Sequence, residues 1–180
     1  MTLEYRGGAT VSPRGDRRDA GVPVQFSYGV FEPAIHWDAR FFTWTDSTDP
    51  RTKPAAFDSL LHTTPLLTRP ESRLDYEWYG PAIKALPIER WALAATGTVT
   101  LGAGLYTLRT ISDDAVRVWV DGQLVIDHWK PHESAIDAAP IAAGHHEIRV
   151  EYYQVDGWTE FRLDLLRGAQ TFQPPPGDDN

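Results

Sequence analysis

Asp113 and Asp114 stand side by side in the run SDDAVRVWVDG, where one apolar alternation ends and another begins. Such a pair has three chemical uses: binding a cation, capping backbone amides in a turn, or sharing acid and base duties in glycoside hydrolysis. The last requires carboxyl groups on opposite sides of a scissile bond, roughly 5 to 9 Å apart, which neighbours at one turn do not provide. The first two remain open. The six histidines suggest a metal. His128 and His132 have the i, i+4 spacing of helical ligands, but Pro131 lies between them in a strand context, and His145 and His146 diverge as consecutive turn residues. With no third ligand in view, zinc is not expected. A phosphate-binding glycine loop, a Gly-x-Ser-x-Gly elbow and a cysteine nucleophile are all missing from the sequence.

The elements that must hold the pair read as strands. Val116, Val118 and Val120 alternate with Ala115, Arg117 and Trp119, and Asp121-Gly122 leads into a second apolar run, the pattern of a type I′ hairpin. Strands are also expected at 24–30 and 39–44, divided by Pro33, then within 74–87, and at 91–99 with a Gly102 and Gly104 turn. Further ones follow at 135–141, 147–153 and 158–166, with Ile148, Val150, Tyr152, Phe161, Leu163 and Leu165 facing inward. Residues 55–67 read as helical or irregular. Roughly seven to nine short strands, with no long amphipathic helix, predict an all-β, antiparallel β-sandwich of the jelly-roll kind. Residues 1–36 form an N-terminal arm with a leading strand, 37–168 the sandwich, and 169–180 a Pro-rich tail.

Composition narrows the partners. A chain of 180 residues with 42% hydrophobic and 12% aromatic content can bury a core. Its formal charge of −8 argues against nucleic acid and suits a cation or a neutral, hydroxyl-rich ligand. There is no cysteine, so no disulfide or thiolate site forms. No apolar run reaches the roughly 20 residues of a membrane span, and residues 1–21 lack the apolar core of a secretory signal.

LYTLRTISDDAVRVWVDGQLVIDHW, followed by AAGHHEIRVEYYQVDGW and FRLDLL, resembles the core of the protective-antigen-type domain family. DYEWYGPAIKALPIERWALAATGTV is similar to that family's leading strands, so the likeness covers about 37–168, most specifically in the central hairpin. One departure is Ala115, where the family usually has glycine.

The resemblance implies a lectin-like β-sandwich, found in bacterial glycosidases and toxins and in fungal adhesins, with catalysis carried by other domains. In the adhesins two adjacent aspartates joined by a cis peptide coordinate calcium, which binds sugar hydroxyls. On this chain the pair falls on Asp113 and Asp114, and the loop between the last two strands contributes Gln154, nearest to the adhesins' asparagine, and Asp156 as a further carboxylate. Calcium is thus the one cofactor implied, with no redox cofactor. Trp158, and after it Trp129, are the aromatic candidates for stacking on a sugar. The resemblance implies a non-enzymatic carbohydrate-binding module; the basic N-terminal arm and the aromatic segment 22–44, appended to the family core, suggest as the alternative an interaction subunit whose sandwich docks on a larger, membrane-bound protein complex. An extracytoplasmic location, periplasmic or at the cell surface, suits both.

Overall fold

The computed structural model describes residues 35–78 and 81–168. The N-terminal arm with its expected strand at 24–30, and the tail from 169, lie outside the described residues. Ten strands are described: β1 (His36–Thr43), β2 (Leu67–Glu71), β3 (Asp75–Trp78), β4 (Trp91–Leu101), β5 (Tyr106–Asp113), β6 (Ala115–Val120), β7 (Gln123–His128), β8 (Ala135–Ile141), β9 (Gly144–Gln154) and β10 (Thr159–Arg167). A 3-10 turn at Asp46–Thr48 and one short helix, α1 (Pro54–Leu60), complete the elements. All pairings are antiparallel, in a six-stranded sheet of order β2-β1-β4-β9-β6-β7 and a four-stranded sheet of order β3-β10-β5-β8. This is the all-β sandwich the alternation predicts.

The inward residues of each strand meet between the sheets. Val116 and Val118 of β6, Ile148, Val150 and Tyr152 of β9 and Phe161 of β10 are all fully buried there. Tyr152 and Phe161 stack with ring centroids 4.8 Å apart, and Trp91 tilts against Tyr152 at 5.2 Å. The Asp121-Gly122 tip has positive φ at both residues, 51° and 80°, as a type I′ turn requires. Asp121 also accepts the Glu147 N–H bond at 2.9 Å, pinning the tip to β9.

A second apolar cluster lies on the outer face of the six-stranded sheet. Outward positions of β4 and β6 are small there, Ala92, Ala94 and Ala115, and this lets Phe57 and Leu61 of the α1 segment pack down beside Phe42, Trp44 and Tyr153. Pro54 opens α1 at its first turn, where a missing N–H is harmless. The helix is shorter than the 55–67 stretch suggests, because the chain re-enters a strand at Leu67. That strand, β2, carries Pro70 and was not readable as one; its place at the sheet edge tolerates proline.

Candidate functional site

The run from Tyr106 to His128 reads as two strand patterns but forms three strands, and β5 and β6 belong to different sheets. Asp113 and Asp114 therefore sit where the chain crosses from one sheet to the other. The peptide bond between them is cis. Both line one depression of about 490 Å³ at the end of the sandwich. Its other walls come from the β7–β8 loop, through Pro131, His132 and Glu133, and from the β9–β10 loop, through Asp156, Gly157 and Trp158.

Asp114 is buried, with 7% of its surface exposed, and its Oδ2 accepts the Val155 N–H bond at 2.6 Å. It thus caps a backbone amide of the facing loop and also lines the depression. The Tyr152 hydroxyl lies 2.5 Å from both the Asp113 carbonyl oxygen and Gln154 Oε1, one proton between two acceptors. Gln154, the first expected ligand from this loop, is fully buried and lies behind it rather than in it. Its Nε2 donates to the carbonyls of Asp156 at 2.7 Å and Trp158 at 3.0 Å, so its amide braces the loop that presents those two residues.

Of the remaining expected site residues, Asp156 and Trp158 join the aspartate pair in the depression, and Trp129 does not. Trp129 instead packs edge-on against Tyr153, with centroids 4.8 Å apart, beneath the Arg117 guanidinium. His132, which the sequence offers only as a zinc candidate beside His128, and Glu133, which it does not offer at all, also line the depression. Nothing local in the polar run KPHES marks it as a site wall; only the crossing of three loops does.

Charge in the depression is poorly compensated. Burial pushes the Asp113 carboxyl up to about 6, with Glu133, Glu160 and Asp156 adding to the rise. Burial also pushes Asp114 up to about 6, with Asp113 and Asp156 adding, while the Val155 N–H and Arg51 oppose the shift. Burial moves His132 below the usual imidazole range, so it is neutral at pH 7. Its Nδ1 must carry the proton, because it faces the Glu133 carbonyl oxygen at 2.7 Å. The same burial raises the Tyr152 hydroxyl well above its usual value, with the two aspartates adding, and it stays a donor.

These donors fit the chemistry of calcium, which takes six to eight oxygen ligands. Among the described residues no three His, Cys, Asp or Glu side chains converge to hold a metal. The pair Asp113 and Asp114 would hold the ion, and carbonyls, water or ligand hydroxyls would complete it. His128 and His132 do come together despite Pro131, their rings stacked at 3.6 Å, and Asp137 Oδ2 lies 2.8 Å from His128 Nδ1, yet among the described residues these groups do not converge to hold a metal.

Fold and site together define an antiparallel β-sandwich domain with an acidic, concave end between three loops. The chain belongs to the PA14 domain family, whose model matches residues 55–172. It is similar to the anti-sigma-I factor RsgI3 of Acetivibrio thermocellus, 34% identical over 86 residues that make up 45% of this chain and 13% of that protein. Among solved structures it is similar to an anti-sigma factor domain-containing protein, with TM-score 0.60 and 23% identity over 76% of this chain and 44% of the other. It is also similar to a PA14 sugar-binding domain from an RTX adhesin, with TM-score 0.56 and 16% identity over 76% of this chain and 92% of the other. The chain thus spans less than half the length of either anti-sigma relative.

Proposed function

We propose that this chain is a non-catalytic carbohydrate-binding module, with calcium held at Asp113 and Asp114. The observation that carries the reading is the shared depression: two adjacent carboxylates, both shifted up to about 6, face Asp156 in a concave site rich in oxygen donors. Calcium, when bound there, supplies open coordination positions for vicinal hydroxyls. Asp114 positions the β9–β10 loop through the Val155 amide, Gln154 fixes that loop from behind, and Trp158 forms a wall on which a sugar face stacks. The likeness to a sugar-binding adhesin domain supports this use of the fold. Isothermal calorimetry with calcium, on the intact chain and on Asp114→Asn, tests the metal. Binding heat in the first and none in the second is expected; no heat in either refutes it. A glycan array in calcium-containing buffer tests the ligand class.

A second reading is favoured by the anti-sigma relatives. In it the sandwich is an interaction subunit of a larger extracytoplasmic assembly. No helix among the described residues is long and apolar enough to cross a membrane, so in this reading the membrane link lies with the partner or elsewhere in the protein. Co-purification of stoichiometric partners from native membranes, with no glycan bound on the array, would favour it over the first.

A further inference from the structure

A second cleft, of about 510 Å³, opens on the outer face of the six-stranded sheet and shares no lining residue with the acidic depression. Trp119, Leu124 and Trp129 form its apolar walls, and Arg117, Asp127 and Lys130 its polar edge. A β-bulge builds it. Val118 pairs with Ile126, but Trp119 pairs with Leu124, leaving Val125 as the extra residue. In an unbroken ladder Val125 would oppose Trp119 on the outer face; with the bulge Val125 packs on the core, and Leu124 comes beside Trp119, 43% exposed. Bulges of this kind re-aim side chains next to functional sites.

Trp119 belongs to neither apolar cluster, so the core does not account for it. It is nevertheless held in place. The Arg149 guanidinium lies 3.7 Å from its ring centroid and that of Arg117 5.2 Å away, and Arg117 also covers Trp129 at 4.0 Å. Both arginines are themselves fixed by the buried Glu151, at 2.6 and 2.9 Å, and Arg117 also by Asp58. These acids neutralise the two guanidinium groups, so the cleft is not an anion site. What it offers a ligand is a rigid half-exposed indole beside a leucine step, with Asp127 as acceptor and Lys130 as donor, both exposed. A cleft of this volume suits a small ligand better than a protein surface.

We propose that Trp119, Leu124, Asp127 and Lys130 form a second, calcium-independent subsite for a neutral saccharide ring. The apolar C–H face of the ring lies on the indole and leucine, and its hydroxyls bond to Asp127 and Lys130. The test uses an array of neutral oligosaccharides read in EDTA, with the full chain, Trp119→Ala, Trp119→Phe and the double variant Asp113→Asn/Asp114→Asn. Binding is expected to persist in the full chain and in the double variant, to fall at least tenfold in Trp119→Ala, and to recover in part in Trp119→Phe, with all four melting as folded proteins. No EDTA-resistant binding, or binding that Trp119→Ala leaves unchanged, overturns the proposal. So does loss of a co-purifying protein in Trp119→Ala while the array signal stands, which would make the cleft a protein interface. Failure of the calcium reading shows separately, as identical array signals with calcium and with EDTA.

Discussion

Replacing Asp114 with asparagine separates its charge from its shape. The asparagine oxygen still accepts the Val155 N–H bond, now 2.6 Å long, in a side chain of the same size. The charge is lost, and the other oxygen, an acceptor, becomes an NH2 donor. Folding moves the Asp114 carboxyl from its ordinary 3.8 up to about 6, chiefly through burial, so above pH 6 the folded state carries a charge that the unfolded chain holds more favourably. A two-unit shift corresponds to about 3 kcal/mol as an upper bound. Because the depression is open to water, solvent screening reduces this to about 1 to 2 kcal/mol. Asp114→Asn therefore stabilises the calcium-free chain at pH 7.5 by about 1 to 2 kcal/mol, raising Tm by roughly 3 to 6 °C. The wild-type penalty is absent below pH 4, grows as pH rises from 4 to 6 and is constant above, so the two melting curves converge in acid. With calcium at the proposed site, the wild-type Tm is expected to rise above pH 6, where protons no longer compete for the carboxylates, and the variant, which lacks one of them, is expected to stay unmoved. Scanning calorimetry from pH 4 to 8, with EDTA and with millimolar calcium, reads all of this. A variant less stable than wild type in EDTA at pH 7.5 refutes the reasoning, since it would make the charge a net asset to the fold.

Gln154→Ala removes the brace behind the β9–β10 loop and leaves the Asp156 and Trp158 carbonyls short of a donor, while the Tyr152 hydroxyl keeps the Asp113 carbonyl as its acceptor; urea unfolding is expected to show a loss of about 2 to 4 kcal/mol. Asp164 is fully buried among the guanidinium groups of Arg109, Arg162 and Arg73, so Asp164→Ala should destabilise by about 3 kcal/mol in the same assay. At Gly97 an added Cβ would meet Ile35 Cγ2 at 2.6 Å and Trp37 Cε3 at 2.9 Å. Gly97→Ala is therefore expected to lower stability by about 1 to 3 kcal/mol without altering calcium binding.

Much of the fold is legible in the sequence because a half-buried strand alternates. EIRVEYY and the segment from Trp158 to Leu166 declare their inward residues, and Asp121-Gly122 declares its turn, as β9, β10 and the β6–β7 tip show. Where both faces of a strand are covered the alternation blurs. WALAA in β4 is buried at every position, since α1 covers its outer face. β2 stayed hidden because Pro70 is acceptable only at an edge, and being at an edge is a property of the assembled sheet. The candidate site was legible in part. Asp113, Asp114, Asp156 and Trp158 meet in the depression, whereas Gln154 turns behind the loop and Trp129 faces a different cleft.

The sequence by itself determined most of the strands, the Asp121-Gly122 turn, the family signature and the acidic pair, all of which rest on neighbours along the chain. Tertiary structure alone decided which residues share a site. A period of two says which face a residue takes, but not which sheet its strand joins. Only closure of the two sheets puts the Asp113–Asp114 link at their crossing and brings His132, Glu133 and Asp156 around it. The same holds for Trp119 and Leu124, which become neighbours through a slip in register that no local pattern records.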